Sequence, residues 1–324
     1  MKRFFQSEAG ATVLWVVSAV VLAAVVSPWL YQAGKWLGAV SAAGDLNTLA
    51  DWLGRACQRA RFDRYFNRAL VISGLALLPF LFRRIRRIRS GTGAVGVAAR
   101  RVSWQSALVQ IAAGCVIAGG VLWTMGAILE MSGAYVPKSK VPSIGTLAGW
   151  IIPAAIGASL LEEWLFRGLL LGLWLKFAKP LAACLGTSLF FAFVHFLHPP
   201  SGTVIAAPGA PLAGFELLGK TLLHFSDPRF FVTEFATLFV IGMILARARV
   251  RTGALWFSIG LHAGWILAFK SFNMIYQSVP AHLLRPWGVG DSLGSGLVPL
   301  LALGLTAVIC HLVLKRFETT RTLG

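Results

Sequence analysis

Apolar stretches near residues 11–30, 69–82, 108–129, 149–175, 181–198, 230–246, 254–270 and 297–314 dominate this chain. A membrane-crossing helix needs about 20 predominantly apolar residues, so the pattern predicts about eight membrane helices. The stretch at 69–82 is short and is expected to begin earlier or to tilt. Residues 31–68 are the least hydrophobic part of the chain. There Asp45, Asp51, Arg55, Arg59, Arg61, Asp63, Arg64 and Arg68 predict an extramembrane amphipathic helix lying on the surface. Pro and Gly dominate 199–214, which reads as a loop. The apolar run from Leu212 to Leu223, broken by Glu216 and Lys220, reads as interfacial or re-entrant. The first span follows Lys2 and Arg3 and lacks a clean A-x-A site after it, which favours an uncleaved anchor over a signal peptide. The predicted fold class is all-α, a polytopic transmembrane helical bundle.

Composition strengthens this reading. The 324 residues are 57% hydrophobic and 13% charged, with a mean hydropathy of +0.73; a soluble chain carries about 25% charged residues. The formal net charge of +18 raises nucleic acid as a partner. The cations cluster beside apolar spans, however, as at Arg83, Arg84, Arg86, Arg87 and Arg89, where they act as orientation signals and contacts to anionic lipid. No nucleic-acid-binding motif accompanies them, so no nucleic-acid partner is expected. Lys and Arg favour the side of the membrane that holds the N-terminus, and both termini are expected to be cytoplasmic. The four cysteines, Cys57, Cys115, Cys184 and Cys310, show no paired spacing, so neither a disulfide framework nor a cysteine metal site is expected.

Ionisable side chains inside hydrocarbon are costly and point to function by default. Three sets interrupt the apolar stretches. In Glu162-Glu163-x-x-x-Arg167, residues four apart share a helix face, so Glu163 reaches Arg167, whereas Glu162 lies about 100° around the helix. Glu163 and Arg167 are therefore assigned as a buried pair and Glu162 as the reactive carboxylate. The plainer alternative is that both glutamates only neutralise Arg167. In Phe191-x-x-x-His195 a ring and an imidazole share a face. His198, just before Pro199 and Pro200, is its rival. In Ser258-Ile-Gly-Leu-His-Ala-Gly-Trp265, His262 sits among Gly260, Ala263 and Gly264, small residues that let helices approach closely. Trp265 either walls that site or packs. His224, His282 and His311 read as interfacial or structural.

A carboxylate and two imidazoles on three helices have two routes to water chemistry. In one, Glu162 is a general base on a water that His195 also holds, and His262 stabilises the oxyanion, with no cofactor required. In the other, Glu162, His195 and His262 bind Zn²⁺ with an open position. The spacing differs from H-E-x-x-H, and no G-x-S-x-G elbow is present.

These residues resemble the CPBP intramembrane proteases, which include type II CAAX-prenyl proteases and bacteriocin-processing or self-immunity proteins. The family pattern is E-E-x-x-x-R, F-x-x-x-H and H-x-x-x-N/B on separate transmembrane helices. Glu162, Glu163 and Arg167 match the first, Phe191 and His195 the second, and His262 the third, but its partner position is Ile266. The similarity covers roughly 149–270. It implies a catalytic membrane domain over 141–324, preceded by N-terminal membrane helices over 1–140 that it does not explain. It also implies hydrolysis of a peptide bond in a membrane-anchored protein, with Glu162 and His195 activating water and His262 holding the oxyanion. Ile266 cannot donate a hydrogen bond, so the missing donor would come from elsewhere, for example Asn273 or a backbone N–H. A bacterial cell membrane is the expected location. Two readings from other classes stand beside it: a non-catalytic immunity or scaffold protein that keeps the fold, which Ile266 favours, and a transporter, against which the lack of internal repeats counts.

Overall fold

A computed structural model describes residues 8–44, 47–90, 102–176, 178–197 and 203–319. Lys2, Arg3, Asp45, His198, Pro199 and Pro200, all named above, lie outside the described residues. The chain is an all-α polytopic bundle, as expected. Its helices are α1 (Glu8–Ala43), α2 (Thr48–Arg59), α3 (Phe62–Ser90), α4 (Trp104–Met131), α5 (Ile144–Trp174), α6 (Pro180–His195), α7 (Ala213–His224), α8 (Pro228–Thr252), α9 (Trp256–Ile275) and α10 (Val298–Thr319). Among the described residues six are long and apolar enough to cross a membrane: α1, α3, α4, α5, α8 and α10. The two remaining expected spans coincide with α6, an apolar helix of 16 residues, and α9, of 20 residues. A two-stranded antiparallel sheet pairs β1 (Tyr135–Pro137) with β2 (Tyr276–Ser278) and joins the end of α4 to the end of α9.

The helices fall into two compact units. One contains residues up to 95 together with 195–227, and the other contains 96–194 and 228–324. In the first unit, α1 runs on through Pro28 to Ala43 and stops at Gly44, whose φ of 87° is open to glycine at no steric cost. The polar stretch 31–68 is thus three pieces: the end of α1, the short α2 and the start of α3. Helix α2 begins at an Asn47 cap that accepts from the Ala50 N–H and leaves Leu49, Trp52 and Leu53 exposed. Gly54 lets it press on Ser41 and on the Leu37 carbonyl of α1. The run from 212 forms α7, whose Gly214 meets the backbone of Ala24 on α1.

In the second unit, α9 is the central helix and packs along α4, with α5 and α8 also against it. The sequence expectation for Gly260 and Gly264 was close approach between helices, and the helix they admit is α4. Gly260 abuts the Ile111 backbone, Gly264 abuts that of Cys115, and a Cβ at Gly114 would stand 2.6 Å from the Phe257 carbonyl. Residues two apart point to opposite sides of a helix, so His262 is turned away from α4. Leu261 and Trp265 are buried in the core with Phe257, Leu122 and Phe272, which makes Trp265 a packing residue. Gly260→Val would drive a branched side chain into the α4 backbone, and is expected to destabilise this unit by about 1–3 kcal/mol. Thermal unfolding in detergent measures this; an unchanged midpoint would mean that the helices part without cost.

Candidate active site

The first polar signature sits where helix geometry changes. Helix α5 starts at Ser143, whose side chain accepts from the Thr146 N–H, and runs as an α-helix to Glu162. From Glu163 to Leu170 it widens into a π-helical turn, closed by a bond from the Leu171 N–H to the Phe166 carbonyl. Such turns are rare and concentrate at functional sites. A second one, Phe231–Phe235, lies in α8. Nothing in the apolar pattern of residues 149–175 signalled the first of them.

The widened turn carries Glu163 and Arg167 into the interior, where Glu163 is 0% and Arg167 2% exposed. Arg167 Nη1 donates to Glu163 Oε1 at 2.8 Å, and Nη2 donates to the Gly242 carbonyl of α8 at 3.4 Å. The guanidinium also lies 4.3 Å from the ring centre of Phe191 on α6. Phe191 is itself buried edge-on against Phe166 at 5.0 Å. A buried charge is costly unless paired and hydrogen-bonded, and Arg167 meets both conditions.

Glu163 has a second task that the sequence did not signal. The same Oε1 lies 2.9 Å from Nδ1 of His262 on α9. One buried carboxylate thereby joins the first signature to the third across two helices. Because a carboxylate only accepts, Nδ1 must carry the proton of this bond. The other nitrogen, Nε2, faces Glu162, whose Oε2 is 3.7 Å away. Glu162 is 27% exposed at its side chain, against 8% for His262. The two neighbouring glutamates therefore stand on opposite sides of one imidazole: Glu163 is locked between Arg167 and Nδ1, and Glu162 is at the more open edge. Phe191 completes the enclosure, edge-on to the His262 ring at 6.1 Å.

Glu162, Glu163, Arg167, Phe191 and His262 are thus gathered within the second unit. His195 is the last residue of α6, one turn beyond Phe191, half-buried, and falls with the first unit. Ile266 is half-buried one turn beyond His262. Asn273 does not replace the missing donor, because eleven residues of α-helix place it about 16 Å along α9 from His262. It is also engaged there: its Nδ2 donates to the Phe269 carbonyl at 2.8 Å and its Oδ1 accepts from the Leu293 N–H at 3.0 Å. As for zinc, among the described residues no three His, Cys, Asp or Glu side chains are grouped to hold a metal ion.

Comparisons with curated proteins and with solved structures found no match. A family model did match. It begins at the first residue of α5, ends within α9, and encloses all six residues named from the sequence. Residues 144–268 match the model of the family described as Type II CAAX prenyl endopeptidase Rce1-like, a match over this stretch that is consistent with the resemblance to the CPBP intramembrane proteases.

Proposed function

We propose that this chain is an intramembrane endopeptidase that hydrolyses a peptide bond of a membrane-anchored protein, using a water activated by Glu162 and His195. The single observation that carries the reading is Glu163 Oε1, which at zero exposure holds both Arg167 and His262 Nδ1. A carboxylate that only neutralised the arginine would not need a second helix's imidazole. This arrangement fixes the ring and aims Nε2 toward the more open carboxylate.

The steps follow from the donor inventory. Glu162 takes a proton from the water as its oxygen attacks the scissile carbonyl carbon, and His195 orients that water. The carbonyl oxygen becomes an oxyanion and accepts from His262 Nε2, which requires the ring to carry both protons, since Nδ1–H is committed to Glu163. When the C–N bond breaks, the proton held by Glu162 passes to the leaving amine. The products are a carboxylic acid and an amine, and one water is consumed. Arg167 balances Glu163, and Phe191 shields the pair from water. No step is routed through a metal.

Two expected outcomes test this mechanism on lipid-anchored peptides in liposomes. His262→Gln removes the Nε2 donor and should lower kcat by about 10²–10³, the usual loss for one oxyanion donor; a rate within a factor of three of wild type would remove His262 from the reaction. A strong chelator should leave the wild-type rate unchanged, whereas loss on chelation and recovery with zinc would replace the water mechanism by a metal-bound one. Ile266 favours a second reading, a non-catalytic immunity or scaffold protein, and absence of cleavage with every peptide tested would support it. We also place both termini on the cytoplasmic side of a bacterial cell membrane, on the bias of Lys and Arg along the chain. Reporter fusions at each end test this, and an exported reporter at either would reverse it.

A further inference from the structure

Helices α4 and α5 both pack on α9 but make little contact with each other. Between them, with α9 as the floor, runs an apolar groove of about 470 Å³. Gly119 and Gly120 of α4 form one wall, Leu147 and Ile151 of α5 the other, and Gly264 and Ala268 of α9 lie beneath. No lining residue is charged, and the lining hydroxyl, Ser271, already donates to the Leu267 carbonyl at 2.6 Å. Gly119 and Gly120 are near the middle of the α4 span, so the groove lies at hydrocarbon depth. All of it belongs to the second unit.

We infer that this groove docks a transmembrane helix of the protein substrate, so that the substrates are anchored by a helix rather than by a lipid chain alone. The inference deepens the proteolytic reading and rests on it. Two observations carry it. The first is the route from the groove to the candidate site. The groove faces the α4 side of α9, away from His262, so that route runs along α5. Ile144 and Ile151 line the groove. Glu162 follows them by eighteen and eleven residues, close to whole numbers of turns, and so lies on their stripe of the helix. It is about 16 Å beyond Ile151 along the axis, which an extended chain covers in about five residues. A helix seated in the groove therefore brings the chain just past its end to the reactive carboxylate.

The second observation is the wholly uncharged, apolar lining. Lipid chains are as apolar as these walls and surround the protein in excess, so the groove cannot select a substrate by such a chain. A transmembrane helix is different, because it is already ordered. Its docking gains close packing against the small residues of α4 and α9 and frees the lipid chains that covered both surfaces.

The test uses the full-length protein in phosphatidylcholine liposomes with two synthetic probes. Both share one randomised juxtamembrane segment; one carries it on a Leu/Ala helix of about 20 residues, the other on a palmitoyl chain. Each has a photoreactive group in the middle of its apolar part, and labelled residues are mapped by mass spectrometry. The helix probe should label the groove about fivefold more than the lipid-facing side of α10 at Leu301, which is 74% exposed. The palmitoyl probe should show no preference. A Cβ at Gly120 meets nothing within 4 Å, so Gly120→Phe fills the groove without disturbing the packing beneath it. That variant should bring groove labelling down to the α10 level and lower kcat/KM for the helix probe about tenfold, with the palmitoyl probe unaffected. Val116→Trp, which enters from the rim where Val116 is 73% exposed, replaces it if Gly120→Phe does not fold. The bond cut should lie about five residues beyond the helix end. Labelling is repeated on Glu162→Gln, which needs no catalysis. Equal groove labelling by both probes, or labelling by the helix probe no higher than at α10, would overturn the docking site. Groove labelling by the helix probe without cleavage of either probe would instead contradict the proteolytic reading, leaving a helix-binding groove whose occupant is not a substrate.

Discussion

Glu162→Gln should abolish peptide hydrolysis while leaving the protein folded. The amide keeps the size of the side chain but cannot take a proton from water, and loss of a general base costs about 10²–10⁴ in rate. The fold should tolerate the change, because Glu162 is the partly exposed member of the pair and stands 3.7 Å from His262 Nε2, beyond a hydrogen bond. Single-turnover cleavage together with the unfolding midpoint measures both halves. A variant that retains a tenth or more of the wild-type rate would transfer the base role to another group. A variant that loses its midpoint as well would make Glu162 structural.

Glu163→Ala should do the opposite, acting first on stability. Its removal leaves the Arg167 guanidinium buried, 2% exposed, without its carboxylate. Breaking a buried ion pair from one side costs about 3–5 kcal/mol, because the remaining charge is uncompensated. Arg167→Ala should cost a similar amount. The pair replaced together by apolar side chains of similar volume should recover much of the loss, since the penalty belongs to the orphaned charge. Activity separates this from a purely structural role. The apolar double replacement should remain inactive however stable it is, because His262 Nδ1 has lost the acceptor that fixes its ring. Stability and activity recovering together would show that Glu163 does no more than neutralise Arg167.

Some of this was legible in the chain and some was not, for identifiable reasons. The membrane bundle followed from the length and apolarity of the stretches, since nothing but a helix satisfies its own backbone in hydrocarbon. Contact between Glu163 and Arg167 followed from their spacing, because residues four apart meet on one face whatever else surrounds them. The hydrogen bond from His262 to Glu163 is different in kind. It joins residues 99 apart, and their meeting depends on how α5 and α9 pack. The widened turn from Glu163 was invisible for a related reason: its i→i+5 bonding accompanies the burial of the pair, and its one glycine, Gly168, is equally at home in an ordinary helix. Gly260 and Gly264 announced a close helix neighbour but not which one. That neighbour is α4, so the first 140 residues supply a helix that packs against the one bearing His262. The end of α1 was missed because residues 31–43 look polar and small by composition. They remain helical because their glycines, Gly34 and Gly38, seat the side chains of Tyr65 and Gln58.

Mass spectrometry of membrane-anchored proteins, comparing cells that carry the wild-type chain with cells that carry Glu162→Gln, tests the central claim most directly. The account predicts a set of proteins cut near their anchors only with the wild type, accumulating uncut at unchanged abundance with the variant. Identical processing in both, with the variant present and inserted in the membrane, would contradict it.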